Sequence, residues 1–214
     1  MSKNEKPDFE DLQSLQSFVG IPSDLAANKA VTSLDKYCIS FINRSPFICL
    51  GTSDGNKKAD VSPRGDNPGF VKVLSDKLIF IPERPGNKRI DSLSNIINNP
   101  EVGILFLIPG FDDCLRLNGN AKITQDNALL EASSVNGKTP KLGITVTVEE
   151  AFLHCAKAIK RSKLWDESSK QDRSELPTIG KMVIEQTVAE SLVTSDFITE
   201  VDTLIEEDYK NELY

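Results

Sequence analysis

Histidine and tryptophan are almost missing from this chain: its 214 residues include one of each, His154 and Trp165. One histidine excludes a metal centre built on several imidazoles, and no metal is expected. The four cysteines, Cys38, Cys49, Cys114 and Cys155, are widely spaced and form no Cys-x-x-Cys pair. Buried reduced thiols are therefore expected rather than a disulfide or metal framework. No apolar run approaches the roughly 20 residues that span a bilayer, and residues 1–10 lack the apolar core of a signal peptide. A cytoplasmic protein with no membrane partner is the expectation. Basic excess is absent too: the net charge is −7, which argues against nucleic acid as the main partner. No Gly-x-Gly-x-x-Gly follows a strand-like run, so a resident nicotinamide-binding domain is not expected.

What is present is a folding composition, 39% apolar and 27% charged, in a chain long enough for one sizeable core. Residues 7–44 read as helical, with Phe9, Leu12, Leu15 and Val19 at three- and four-residue steps. Short apolar runs with turn signals follow. Residues 47–53 and 59–62 read as one hairpin, and 70–74 and 77–81 as a second. A helix is expected over 85–97, strands over 101–108, 114–124 and 142–148, and a short helix over 126–133. Gly119 inside the 114–124 strand predicts a bulge or a close backbone approach. From Ala151 the pattern reads as helix through Trp165, then loop, then two acidic helices over 179–192 and 195–209. Six or seven antiparallel strands at this spacing predict a small barrel with flanking helices, an α+β fold that is mainly β.

Cationic residues concentrate in two places within this acidic chain. Arg84, Lys88 and Arg89 surround Pro85, Gly86 and Asn87 just before an expected helix. A helix N-terminus with added Lys and Arg suits a phosphate monoester; a solvated basic turn paired with surface acids fits the same residues. Ser62, Pro63, Arg64, Gly65 and Asp66 follow a strand. Arg64 there suits an anion or ring carbonyl, or an ordinary turn. Arg116 and Asn118 share one strand face opposite Leu115 and Leu117, either to read a polar ring or to face solvent. His154, Lys157 and Arg161 share one face of the expected helix, with Trp165 a turn further.

Taken in order, the segments Ser62 to Asp66, Pro85 to Arg89, Leu115 to Gly119 and His154 to Trp165 resemble the pyridoxamine 5′-phosphate oxidase-like flavoproteins, the FMN-binding split barrels. The resemblance covers about residues 35–185. It implies a helical extension over 1–34, a six-stranded antiparallel split-barrel domain over 35–185 and an acidic helical tail over 186–214. It also implies a homodimer with FMN at the subunit interface. Val61, Ser62, Pro63 and Arg64 would line the flavin ring and ribityl chain, with Ile81, Pro82 and Arg84 beside them. Asn87, Lys88 and Arg89 would hold the phosphate. Arg116 would reach a flavin from the partner subunit, and His154, Lys157 and Trp165 would close the site. The implied activity is an FMN-dependent oxidoreductase acting on an unidentified small molecule, with NADH or NADPH as a donor and no catalytic acid or base assignable. A non-catalytic flavin carrier or redox sensor is the alternative. Oxidation of pyridoxamine or pyridoxine phosphate is less favoured. Asp60-Val61-Ser62-Pro63-Arg64-Gly65 stands where those oxidases carry Arg-x-Val-Leu-Leu-Lys, and their Arg-Leu-x-Pro is missing near residues 211–214.

Overall fold

The structure, a computed structural model, describes residues 8, 9, 11–56 and 58–214. The chain divides into two compact units, one up to Ala30 and one from Val31 onward. The first holds α1 (Leu12–Val19) and α2 (Asp24–Ala27), capped by Asp11, which accepts from Ser14 N at 2.7 Å, and by Ser23. Phe9 and Phe18 pack with their rings 5.3 Å apart. The helical reading begins, at residues 7 and 10, outside the described residues.

The second unit starts with α3 (Lys36–Ile42), whose cap Asp35 accepts from Tyr37 N and Cys38 N. Seven strands and three further helices alternate from there: β1 (Phe47–Ser53), β2 (Ala59–Gly65), β3 (Lys72–Ser75), β4 (Leu78–Pro82), α4 (Asp91–Asn98), β5 (Glu101–Leu107), β6 (Cys114–Thr124), α5 (Asn127–Glu131), β7 (Gly143–His154) and α6 (Lys157–Ser162). α7 (Ile179–Thr187) and α8 (Ser195–Asn211) complete the unit. The strands form one antiparallel sheet in the order β2-β1-β5-β6-β7-β4-β3. The sheet thus has seven strands rather than the expected six, and its backbone ladder is not closed: β2 and β3 lie at opposite edges.

Alternation along each strand separates two faces. Ile48, Leu50, Ile104, Phe106, Leu115 and Leu117 are fully or almost fully buried on the inner face. Leu93 and Ile96 of α4 and Phe41 and Ile42 of α3 join them in one core cluster. Gly119 meets both sequence expectations. The β6–β7 register shifts between Asn118 and Gly119, and a Cβ at Gly119 would lie 2.1 Å from the Thr147 carbonyl oxygen.

Two element expectations are corrected. β7 continues through His154 instead of turning helical at Ala151, because β6 is long enough to pair with residues 150–154 beyond the bulge. The helix expected from Pro85 begins only at Asp91, since Lys88 and Ile90 adopt left-handed backbone with φ of 60° and 54°. Among the described residues no helix is long and apolar enough to cross a membrane. No disulfide links the four cysteines, and Cys38 and Cys114 are buried.

Candidate functional site

The expected site residues fall on two surfaces. Residues opposite each other in an antiparallel ladder share a face, and Arg64 stands opposite Ile48, Ser62 opposite Leu50 and Asp60 opposite Thr52. Ser62 and Arg64 therefore point to the inner side of the edge strand β2. Val61 and Pro63 point outward, opposite Gly51 and Cys49.

On the inner side α4 covers β2. Ser92 Oγ donates to Ser62 Oγ at 3.0 Å, and Asn95 Nδ2 donates to Asp60 at 2.7 Å and to Thr52 at 3.0 Å. Arg64 Nε donates to Glu83 Oε2 at 3.0 Å. Nε and Nη2 of Arg84 each lie 2.7 Å from Asp66 Oδ2, and Nη2 also donates to the Ser133 carbonyl oxygen at 2.8 Å. The two pairs are reciprocal: the end of β2 supplies Arg64 and Asp66, and the end of β4 supplies Glu83 and Arg84. They form a side-chain seam between strands that lie far apart in the sheet order. Tyr214 closes the seam from above. Its hydroxyl donates to Asp66 Oδ1 at 2.9 Å, and its ring lies 5.3 Å from the Arg84 guanidinium carbon. The bond to Asp66 holds the Tyr214 phenol above its ordinary pKa. Ile81 and Pro82 are buried at the end of β4, with Ile81 inside the core cluster, so they present no side chain to this surface.

Beyond the seam residues 85–90 form an exposed loop. Asn87 Oδ1 accepts from Arg89 N at 3.1 Å, and Arg89 Nε pairs with Asp91 Oδ2 at 2.9 Å with 72% of the Arg89 side chain exposed. Ile90 occupies the cap position of α4 with no side-chain cap hydrogen bond. Left-handed φ at a lysine and at a β-branched isoleucine is costly backbone of the kind that clusters at ligand clamps. A polar cleft of about 400 Å³ between this loop, α4 and the β1–β2 turn is lined by Asp54, Lys58, Asp60, Arg89, Asp91 and Asn95, among others. Its three carboxylates outnumber its two cations, so an anion is better served by the loop than by the cleft.

The outward surface carries the remaining residues. Arg116 and Asn118 face outward while Leu115 and Leu117 are fully buried, as the strand pattern predicts. The Arg116 guanidinium carbon lies 4.1 Å from the Phe152 ring centroid, and Nη2 donates to Glu150 Oε1 at 3.1 Å, which also accepts from Asn118 Nδ2 at 3.1 Å. Arg116 Nε is buried without a hydrogen-bond partner. His154 stands opposite Cys114 with its ring 4.9 Å from Phe152. His154 and Lys157 thus do not share a helix face: the first ends a strand and the second starts α6. Trp165 donates from Nε1 to the Phe111 carbonyl oxygen at 2.7 Å, tying the segment after α6 to the β5–β6 loop. Sequence reasoning missed Glu83, Glu150, Phe152 and Tyr214. Their partners lie 19 to 148 residues away, and no local pattern signals such pairings. Among the described residues no group of three or more His, Cys, Asp or Glu side chains suits a metal ion.

The chain is similar to several solved structures over just over half its length. HupZ from Group A Streptococcus aligns at 22% identity over 56% of this chain and 93% of that one, with a TM-score of 0.45. A putative pyridoxamine 5′-phosphate oxidase from Lactobacillus delbrueckii aligns at 17% identity over 57% and 95%, with a TM-score of 0.43. An FMN-binding protein from Syntrophomonas wolfei aligns at 15% identity over 55% and 83%, with a TM-score of 0.43. No curated protein matches. The family model described as pyridoxamine 5′-phosphate oxidase matches residues 34–155. That match takes in every strand of the sheet and more than half of the chain, so the protein belongs to the pyridoxamine 5′-phosphate oxidase family.

Proposed function

We propose that this protein is an FMN-binding flavoprotein and an FMN-dependent oxidoreductase acting on a small molecule. The observation that carries the reading is the loop of residues 85–90. Within a sheet that matches the family throughout, it presents the exposed Lys88 and Arg89 between the left-handed positions Lys88 and Ile90, in front of a helix with no capping side chain. Free helix N–H groups and two cations suit a phosphate ester. The exposed Arg89–Asp91 pair is of a kind worth at most about 1 kcal/mol, so Arg89 can exchange its carboxylate for phosphate at little cost.

In this reading Asn87, Lys88 and Arg89 hold the phosphate of FMN, and Ser62 and Arg64 border its chain and ring. FMN when bound supplies the redox chemistry. The outward residues Val61, Pro63, Arg116 and His154 cannot reach the same ligand as the inward ones within one protomer, because they lie on the opposite sheet face. A second copy supplies them: in a homodimer the outward face of one subunit borders the inward site of the other. The unpartnered Arg116 Nε fits this role as a donor to a flavin oxygen. Lys157 and Trp165 would border the same opening.

Saturation with FMN followed by desalting tests the reading. Retained absorbance in the flavin region is expected, and a colourless protein overturns it. Anaerobic addition of NADH or NADPH to the loaded protein then separates an enzyme, whose flavin bleaches and turns over with an acceptor, from a carrier, whose flavin does not.

A further inference from the structure

We infer that the segment from α8 to Tyr214 is a displaceable strap that latches the Arg84–Asp66 seam and gates the neighbouring ligand site; the gating half rests on the flavin reading above. Four features of the chain carry it.

First, α8 is attached lightly. It is 17 residues long and buries none of them. It packs against α7, where Gly180 N donates to Asp202 Oδ1 at 3.1 Å. No residue of α8 belongs to the main core cluster or packs against it, so its release leaves that core covered, and elements of this kind open at low free energy. Second, its far end is tied at two points. Lys138 Nζ donates to the Asn211 carbonyl oxygen at 3.3 Å, and Tyr214 sits on Asp66 and Arg84. The tie at Tyr214 is the stronger of the two. Its acceptor is an almost fully buried carboxylate, 2% exposed in its side chain, and a guanidinium lies over its ring.

Third, the seat belongs to the seam that borders the loop. Arg84 directly precedes residues 85–90, and Glu83 beside it holds Arg64. Fourth, residues 186–214 carry eight carboxylates against Lys210, which equals the net charge of −7 for the whole chain. A docked strap brings this charge towards a loop suited to phosphate, so the docked strap and an arriving anion disfavour each other. Strap release and ligand entry are thereby coupled.

The test uses the full chain, with Tyr214→Ala to remove both contacts and Tyr214→Phe to remove only the hydroxyl. Hydrogen exchange of the α8 amides reports the latch without any ligand. Exchange several-fold faster in Tyr214→Ala, with Tyr214→Phe between it and the wild type, is expected; unchanged exchange overturns the latch. Stopped-flow fluorescence of FMN reports the gate. Association and dissociation both several-fold faster in Tyr214→Ala support it. FMN rates equal to the wild type in a variant whose α8 exchanges faster overturn the gate while leaving the flavin reading intact. Failure of both proteins to bind FMN overturns the flavin reading and the gate with it, and the exchange measurement still decides the latch.

Discussion

Arg84 holds Asp66 through two nitrogens at 2.7 Å each, and so joins two parts of a sheet whose backbone ladder stays open. With Arg64–Glu83 beside it, charged side chains rather than strand pairing link the end of β2 to the end of β4. Both partners are buried, at 13% and 2% side-chain exposure. Removing one leaves the other charge stranded in low dielectric, the costly case for a buried pair. Asp66→Ala should therefore lower unfolding stability by about 3 kcal/mol, measured by urea denaturation. A loss below about 0.5 kcal/mol, the range of ordinary surface changes, would show that the seam contributes little.

Arg89 makes a pair of similar length with Asp91 but at 72% exposure. Its energetic role should accordingly be the reverse. Lys88→Ala with Arg89→Ala should leave stability within about 0.5 kcal/mol of the wild type. The same double variant should weaken FMN binding by roughly 2–4 kcal/mol through lost charge-assisted contacts. Titration by quenching of flavin fluorescence measures this, and unchanged affinity would move the phosphate away from the loop.

The contrast between these two arginines shows where sequence reading stops. Arg64, Arg84 and Arg89 look alike as cations near turns, yet two have largely shielded carboxylate partners 19 and 18 residues away and one has an exposed partner two residues away. Burial and pairing at that distance depend on how strands meet, which no local pattern encodes. The bounds of β6 were legible because its apolar alternation is clean, and Gly119 marked the bulge. His154 was misread for a different reason. Residues 149–154 hold Glu, Glu, Ala, Phe, Leu and His, several of them good helix formers, and pairing with β6 overrides that local preference.

The bulge itself gives a strict steric expectation. A methyl at Gly119 would stand 2.1 Å from the Thr147 carbonyl oxygen and 3.2 Å from Val146 Cγ1, and a ladder carbonyl cannot move without breaking its pairing. Gly119→Ala should destabilise the fold by more than about 2 kcal/mol, in the range of overpacked cores. Thermal unfolding followed by circular dichroism checks this; a variant as stable as the wild type would mean that β6 and β7 separate freely at the bulge.

Alkaline pH should act through Cys38. Burial, helped by the neighbouring Asp35, pushes its thiol from the ordinary 9.0 up to about 11. The folded state thus holds the proton more tightly than the unfolded state. The stability this provides is fully present below pH 9 and is lost as pH rises towards 11. Unfolding free energy measured across that window should fall, and Cys38→Ala should fall less steeply than the wild type. Equal slopes would assign the alkaline loss to other groups.

The proposed homodimer makes a demand on the outward sheet face. Gly51 and Gly103 lie side by side in the β1–β5 ladder and leave a low floor. Beside it rises Val61, 71% exposed on an edge strand, with Phe47 38% exposed nearby on β1. Apolar side chains around a floor of glycines form a surface that a second copy can fill, and burying Val61 fully is worth roughly 1.5–3 kcal/mol. A carboxylate in its place would have to be desolvated without a partner. In sedimentation the wild type should run as a dimer and Val61→Asp as a monomer with an unchanged circular dichroism spectrum. The monomer should also bind FMN more weakly, since Arg116 and His154 would no longer meet the inward site of a partner. A wild-type monomer would remove the shared-site arrangement altogether. A Val61→Asp dimer would place the interface away from β2.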